Sequence, residues 1–275
     1  MEGISGSCLC LYVPSQNTYG TIYIPKSYEV AKTMLEDILF FIVAFISEII
    51  GAIAGFGSST IFLPLSLFFV DFKTALILVA ISHLFGNLGR INFFRHGLDI
   101  KIIITFGIPS IILSFVGASI VGILSQDILK VILGIFLIVI STLFLLRPVL
   151  KFPTNTSTVI TGGSVSGLIT GLLGTGGALR ATFLTGFNLE KAKYIATAAA
   201  IALATDATRI PSYLSQGFLL EQYYYYIPIL LATAIGGSFI GRKIVDKIDQ
   251  QVFRKIVLVS IILVSINFIV DGVKS

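Results

Sequence analysis

The residues that could do chemistry in this sequence gather around two short strings, GFGSST at 55–60 and GLLGTGGALR at 171–180. Glycines let a backbone approach an anion closely, and a helix N-terminus presents free N–H groups to it. A nucleotide P-loop needs a lysine and a hydroxyl after its last glycine. Ala178-Leu179 stand there instead, which excludes that reading. What remains is a backbone cradle of Gly55, Gly57, Gly174, Gly176 and Gly177, with hydroxyl donors from Ser58, Ser59, Thr60 and Thr175. Close helix packing is the competing reading of any one of these glycines. The pair of loops taken together favours a binding site.

Charged and titratable residues stand inside otherwise apolar stretches nearby. Arg90 and Arg209 could bind anionic oxygens bidentately, or their long stems could carry the charge out to the membrane surface. Asp206 and Arg209 are three residues apart on one helical face and suit an ion pair; Asp206 as a proton carrier is the alternative. Asn87 stands where a matching aspartate would be, so Arg90 lacks that partner and is the better anion ligand of the two. Glu48 is either a proton carrier or the partner of Arg180 or a hydroxyl. His83 suits proton coupling, against the plainer role of a hydrogen bond between helices. These residues call for no cofactor and no metal.

The elements that must hold these groups are membrane helices. The chain has 275 residues, is 55% hydrophobic and only 12% charged, with a mean hydropathy of +0.97. Residues 102–124 carry no charge over a length that spans a bilayer, and 131–146 and 256–270 are similar. The composition therefore predicts an all-α polytopic membrane protein. Its net charge of +5 sits in short loops between spans, as the positive-inside bias requires, so nucleic acid is excluded as a partner. The polar first 30 or so residues lack the basic start and apolar run of a signal peptide, so this segment is expected to be retained. Cys8 and Cys10 match no zinc spacing and are expected to be free thiols. The tyrosine run 223–226 reads as an interfacial belt, and Pro211 as a kink.

The sequence is also written twice. VGASIVG at 116–122 is echoed by IGGSFIG at 235–241, an offset of 119 that also relates Pro109 to Pro228, Gly55-Phe56-Gly57 to Gly174-Thr175-Gly176, and Asn87–Ile91 to Asp206–Ile210. Near residue 125 the offset becomes 124. Each copy has the same order: an apolar stretch, a glycine loop, a segment of about half the length needed to cross, then three longer spans. The segments are 38–54, 61–70, 74–95, 102–124 and 128–146, then 158–173, 178–187, 191–214, 222–241 and 252–270. Five segments per copy is an odd number, so the second copy enters the membrane inverted, an architecture of many secondary transporters. With alternating segments, eleven Lys and Arg collect on one side and five on the other, which puts both termini outside the cell. The expected organisation is an extracytoplasmic segment 1–35, a first repeat 36–147, a cytoplasmic linker 148–155 and a second repeat 156–275.

GAIAGFGSSTIFLPL and SGLITGLLGTGGALR, each followed by a long helix, resemble the duplicated signature of the sulfite exporter TauE/SafE family of membrane permeases. The resemblance covers both repeats. It implies transport of sulfite, sulfonates, sulfoacetate or related small organosulfur anions, through the plasma membrane. The family's loop usually has a denser glycine run; here Ser58 and Ser59 replace glycines in the first copy. Arg180 and Phe183 depart from the pattern in the second, where the first has Pro64. The expected protein is a carrier, with the repeats rocking about a midplane anion site, and not an enzyme. Its expected partners are a small anion and the lipid bilayer. An anion channel and a carboxylate permease are the alternatives. A rhomboid-like protease is excluded, since GSVSG and GFGSS miss the Gly-x-Ser-Gly nucleophile pattern and neither His83 nor His96 shows an evident partner.

Overall fold

The computed structural model describes residues 26–54, 57–93, 97–147, 150, 152–244 and 250–274. Among them the chain is entirely helical apart from its turns. The helices are α1 (Lys26–Ala54), α2 (Ser59–Ser66), α3 (Phe72–Phe93), α4 (Ile100–Val121), α5 (Gln126–Leu146), α6 (Thr156–Leu173), α7 (Gly177–Thr185), α8 (Lys191–Ser215), α9 (Tyr226–Ile244) and α10 (Gln250–Lys274). Six helical segments among the described residues are long and apolar enough to cross a membrane: α3, α4, α5, α6, Glu221–Ile244 and Lys255–Lys274. Cys8, Cys10, Gly55, Arg95 and His96 lie outside the described residues.

Local chemistry explains where helices begin and end. Asp99, Ser125 and Asn155 each accept a hydrogen bond from a backbone N–H three residues on, at α4, α5 and α6. Gly174 ends α6 in the left-handed conformation, at φ 72°, which costs glycine little. Helices α2 and α7 have 8 and 9 residues, so each reaches about 12–14 Å at 1.5 Å per residue, half a bilayer core.

Helix α1 begins at Lys26, ahead of the first repeat's expected start at residue 36. Helix α8 carries Pro211 inside it and continues to Ser215. One sequence expectation changes. Tyr226 is no part of an interfacial belt: it is buried against Phe40 and Phe41, and its hydroxyl donates to Asp37. Tyr225 donates to the other Asp37 oxygen at 2.5 Å. A carboxylate on α1 holds the start of α9, which hydropathy does not report.

The long helices pair mainly between the two halves of the chain: α4 with α6, α5 with α10, α1 with α9, and α3 with both α8 and α9. The α4–α6 contact rests on missing side chains. A Cβ at Gly163, Gly167 or Gly171 would lie 2.3, 2.2 or 2.0 Å from the carbonyl oxygens of Phe106, Ser110 and Ser114. Glycine every fourth residue makes one bare stripe along α6, and α4 lies against it. The Phe106 carbonyl comes from a π-helical turn, Ile103–Gly107, and the Ser110 hydroxyl donates to it and to Gly163 O, both at 2.8 Å.

Gly167→Val is therefore expected to destabilise the protein by about 1–3 kcal/mol or more through overpacking, seen as a lower thermal unfolding temperature in detergent. Gly236→Ala is the control. Its Cβ would meet only the Phe45 ring at 3.4 Å, and the unfolding temperature should hold.

Candidate functional site

The two glycine turns meet. The Thr175 hydroxyl, between α6 and α7, donates to the Thr60 hydroxyl at the start of α2 over 2.9 Å. Gly57 has φ 90°, and a Cβ there would stand 3.6 Å from Gly177 Cα and 3.8 Å from His83 Nε2. Ser58, Ser59, Thr60 and Thr175 are all buried. Gly174 needs its bareness as well as its left-handed backbone, since a Cβ would fall 2.7 Å from Leu76 Cδ2 and 3.4 Å from Arg209 Nη1. A Cβ at Gly176 would meet Thr170 Oγ1 at 2.0 Å.

Beside the turns, a chain of polar groups crosses from α1 through α3 to α8. Glu48 Oε1 accepts from Ser58 Oγ at 2.5 Å, and Oε2 accepts from Arg90 Nη2 at 2.7 Å and Ser238 Oγ at 3.3 Å. Arg90 Nη1 donates to Asn87 Oδ1 at 3.2 Å, and Asn87 Nδ2 donates to Asp206 Oδ2 at 3.3 Å. Asp206 Oδ1 accepts from Arg209 Nε at 2.9 Å, while Arg209 Nη1 donates to the Thr170 carbonyl at 3.2 Å. His83 Nδ1 lies 2.8 Å from Asp206 Oδ2. With Asp206 ionised, that contact puts the proton on Nδ1 and leaves Nε2 as a bare lone pair when the ring is neutral. Gly86 makes room for this chain: a Cβ there would stand 2.8 Å from Glu48 Oε2.

These distances decide several open alternatives. Arg209 is 0% exposed, so it does not reach out to the membrane surface. Asp206 and Arg209 form the ion pair that their spacing suggests. Arg90 is not free, because Glu48 neutralises it. That pairing was hidden from sequence because the partners are 42 residues apart. Glu48 does take a hydroxyl partner, Ser58, but not Arg180. His83 has a partner after all, Asp206. Phe183 packs between Phe152 and Phe106 and over Gly162, a structural role.

Unused hydrogen-bonding capacity also collects here. Among the described residues, His83 Nε2 and Arg90 Nε are buried without a hydrogen-bond partner. Reasoning from sequence missed Ser238 and Thr170. Ser238 lies in the repeated IGGSFIG block, which was the one signal available for it. Thr170 contributes through its backbone carbonyl, which side-chain identity does not report.

A bare glycine pair against a buried ionic chain, in an all-helical apolar chain, narrows the comparison to membrane permeases. A model of the family described as sulfite exporter TauE/SafE matches residues 39–268. The chain belongs to this family. It is accordingly a multi-pass membrane transporter of the sulfite and anion type. The match takes in every residue of the polar chain and both glycine turns. No curated protein and no solved structure matches the sequence.

Breaking a buried pair by removing one partner leaves an uncompensated charge. Asp206→Asn keeps the side chain's shape but strands Arg209, and it is expected to lower stability by about 3–5 kcal/mol, measured as unfolding of the purified protein. Glu48→Gln should cost less, because Arg90 is 12% exposed and can be hydrated. Equal unfolding of wild type and Asp206→Asn would show that the pairs do not hold the helices together.

Proposed function

We propose that this protein is a secondary carrier that exports small organosulfur anions, such as sulfite, sulfonates or sulfoacetate, across the plasma membrane by alternating access. The anion is held mid-membrane between the N-termini of α2 and α7. Backbone N–H groups around Gly57, Gly174, Gly176 and Gly177 face it, with hydroxyls from Ser58, Ser59, Thr60 and Thr175. Asn87, Arg90 and Arg209 stand behind them as polar walls, each arginine already paired with a carboxylate. The observation that carries this reading is the contact of the two turns, Thr175 to Thr60, with His83 Nε2 close by, 3.8 Å from where a Gly57 Cβ would stand. Irregular backbone in a bilayer is tolerated where it is buried in protein or lines a cavity, and positive helix ends there suit an anion.

The two halves are read as inverted repeats. Exchanging α1–α5 with α6–α10 carries the main helix pairs onto one another: α4–α6 becomes α9–α1, α4–α8 becomes α9–α3, and α5–α10 and α3–α8 are unchanged. Asn87 and Asp206, which occupy equivalent positions, touch each other, as residues beside a two-fold axis do. Both termini are assigned to the extracytoplasmic side on the distribution of Lys and Arg. Because the long helices pair between halves, the moving bodies are mixed groups of helices from both repeats, not the repeats themselves.

Protons are the proposed coupling ion. Protonation turns His83 Nε2 from a lone pair into a donor facing Gly57, which links anion occupancy to proton uptake; Asp206 and Glu48 are the carboxylates at either end of the same chain.

In proteoliposomes, sulfite and methanesulfonate flux should saturate and show counterflow. Weakly saturating conductance would instead assign a channel, and carboxylate transport without sulfonate transport would change the substrate. Under a pH gradient, His83→Gln is expected to lose accumulation while keeping counterflow. Gradient-driven transport that survives in His83→Gln, Glu48→Gln and Asp206→Asn alike would remove proton coupling through this chain.

A further inference from the structure

Arg180 is the buried cation that nothing neutralises. It stands in the first turn of α7, is 6% exposed, and among the described residues its guanidinium makes no hydrogen bond or ion pair. The charges acting on it are those of the polar chain: Asp206 attracts it, and Arg90 and Arg209 repel it. Those two arginines already have carboxylates of their own, Glu48 and Asp206. With His83 neutral, the buried cluster holds three guanidinium charges against two carboxylates, so one positive charge is left over. An unpaired ion drawn largely out of water costs several kcal/mol, roughly, even after relaxation, and the small part of Arg180 that stays accessible leaves its guanidinium open to a counter-charge. Matching positions sharpen the point. The offset of 119 sets Ile61 opposite Arg180, so the surplus charge belongs to one turn only and comes from no constraint shared by the two copies.

We infer that Arg180 is the residue that takes the substrate's negative charge, and that the site is built for one such charge per molecule. This rests on the reading of the cluster as the transport site. A monoanion such as a sulfonate or bisulfite neutralises the surplus, and the planar guanidinium can meet two of its oxygens at once. A dianion leaves the cluster negative by one, so of the proposed substrates sulfoacetate, which carries a sulfonate and a carboxylate, should bind less tightly than a simple sulfonate. Arg90 and Arg209, being neutralised already, then hold the walls of the site and do not supply its net charge.

The test uses the purified full chain at pH 8, with methanesulfonate as the monoanion and sulfate as the dianion, read by thermal shift and by titration calorimetry. Wild type should bind methanesulfonate about tenfold or more tighter than sulfate, one charge-assisted contact being of that size. Arg180→Gln should lose methanesulfonate affinity by a similar factor, and Arg180→Lys should retain part of it. The unliganded Arg180→Gln protein should melt at the same temperature as wild type or higher, because it has shed an uncompensated buried charge; a lower temperature would mark Arg180 as a structural brace and overturn the inference. Methanesulfonate binding that is equal in wild type and Arg180→Gln would overturn it while leaving the transport site standing. Sulfate binding as tight as methanesulfonate would overturn the single-charge claim. Wild type that binds neither anion in calorimetry and transports none in liposomes would remove both this inference and the function it rests on.

Discussion

Two ion pairs buried in an apolar molecule set the terms for everything around them. Asp206 with Arg209 on α8, and Glu48 on α1 with Arg90 on α3, are joined through Asn87 into one chain. Little solvent reaches a member left alone, Asp206 and Arg209 least of all at 0% exposed, so these groups are satisfied chiefly by partners within the protein. That requirement fixes the approach of α1, α3 and α8 more tightly than apolar contact could. Leucine against leucine is no better satisfied in protein than in lipid. Polar groups supply the specificity, and the large buried side chains, Phe40, Phe62, Phe72 and Leu76 among them, fill the space that results.

Close approach is the second device, and it serves the first. At Gly86 the bare backbone of α3 gives Glu48 the space to reach Arg90. At Gly163, Gly167 and Gly171 it brings α6 onto the carbonyls of α4. Helix α6 ends at Gly174, where the chain turns left-handed and the Thr170 carbonyl accepts from Arg209. One interface thus positions the turn, and the turn's own backbone completes the ionic chain. The packing of the molecule and the electrostatics of its site are in this sense one arrangement, which is why the same small residues admit both a packing and a binding interpretation when read singly.

An asymmetry is laid over this pattern. Positions related by the offset of 119 hold Asn87 and Asp206, and Ile61 and Arg180. Perfect duplication would set carboxylate against carboxylate where these two positions touch. Asparagine in one copy lets that contact be a hydrogen bond, with a histidine on the same oxygen.

Much of the architecture was legible in the chain as written. Uncharged runs of bilayer length, the repeated GASIVG and GGSFIG strings and two half-length segments after glycine turns located the helices to within a few residues apart from the start of α1, because hydropathy and helix geometry act locally. The spacing of Asp206 and Arg209 was enough to pair them, since both lie on one turn of one helix. What the sequence could not carry were the partners drawn from distant segments: Glu48 with Arg90, His83 with Asp206, Tyr226 with Asp37, and the burial of Arg180 with no hydrogen-bond partner among the described residues. Those depend on which helices lie side by side, and on which face. Periodicity determines the helices and their length; only the packed tertiary structure decides which buried charges meet, because that depends on which helix faces lie side by side.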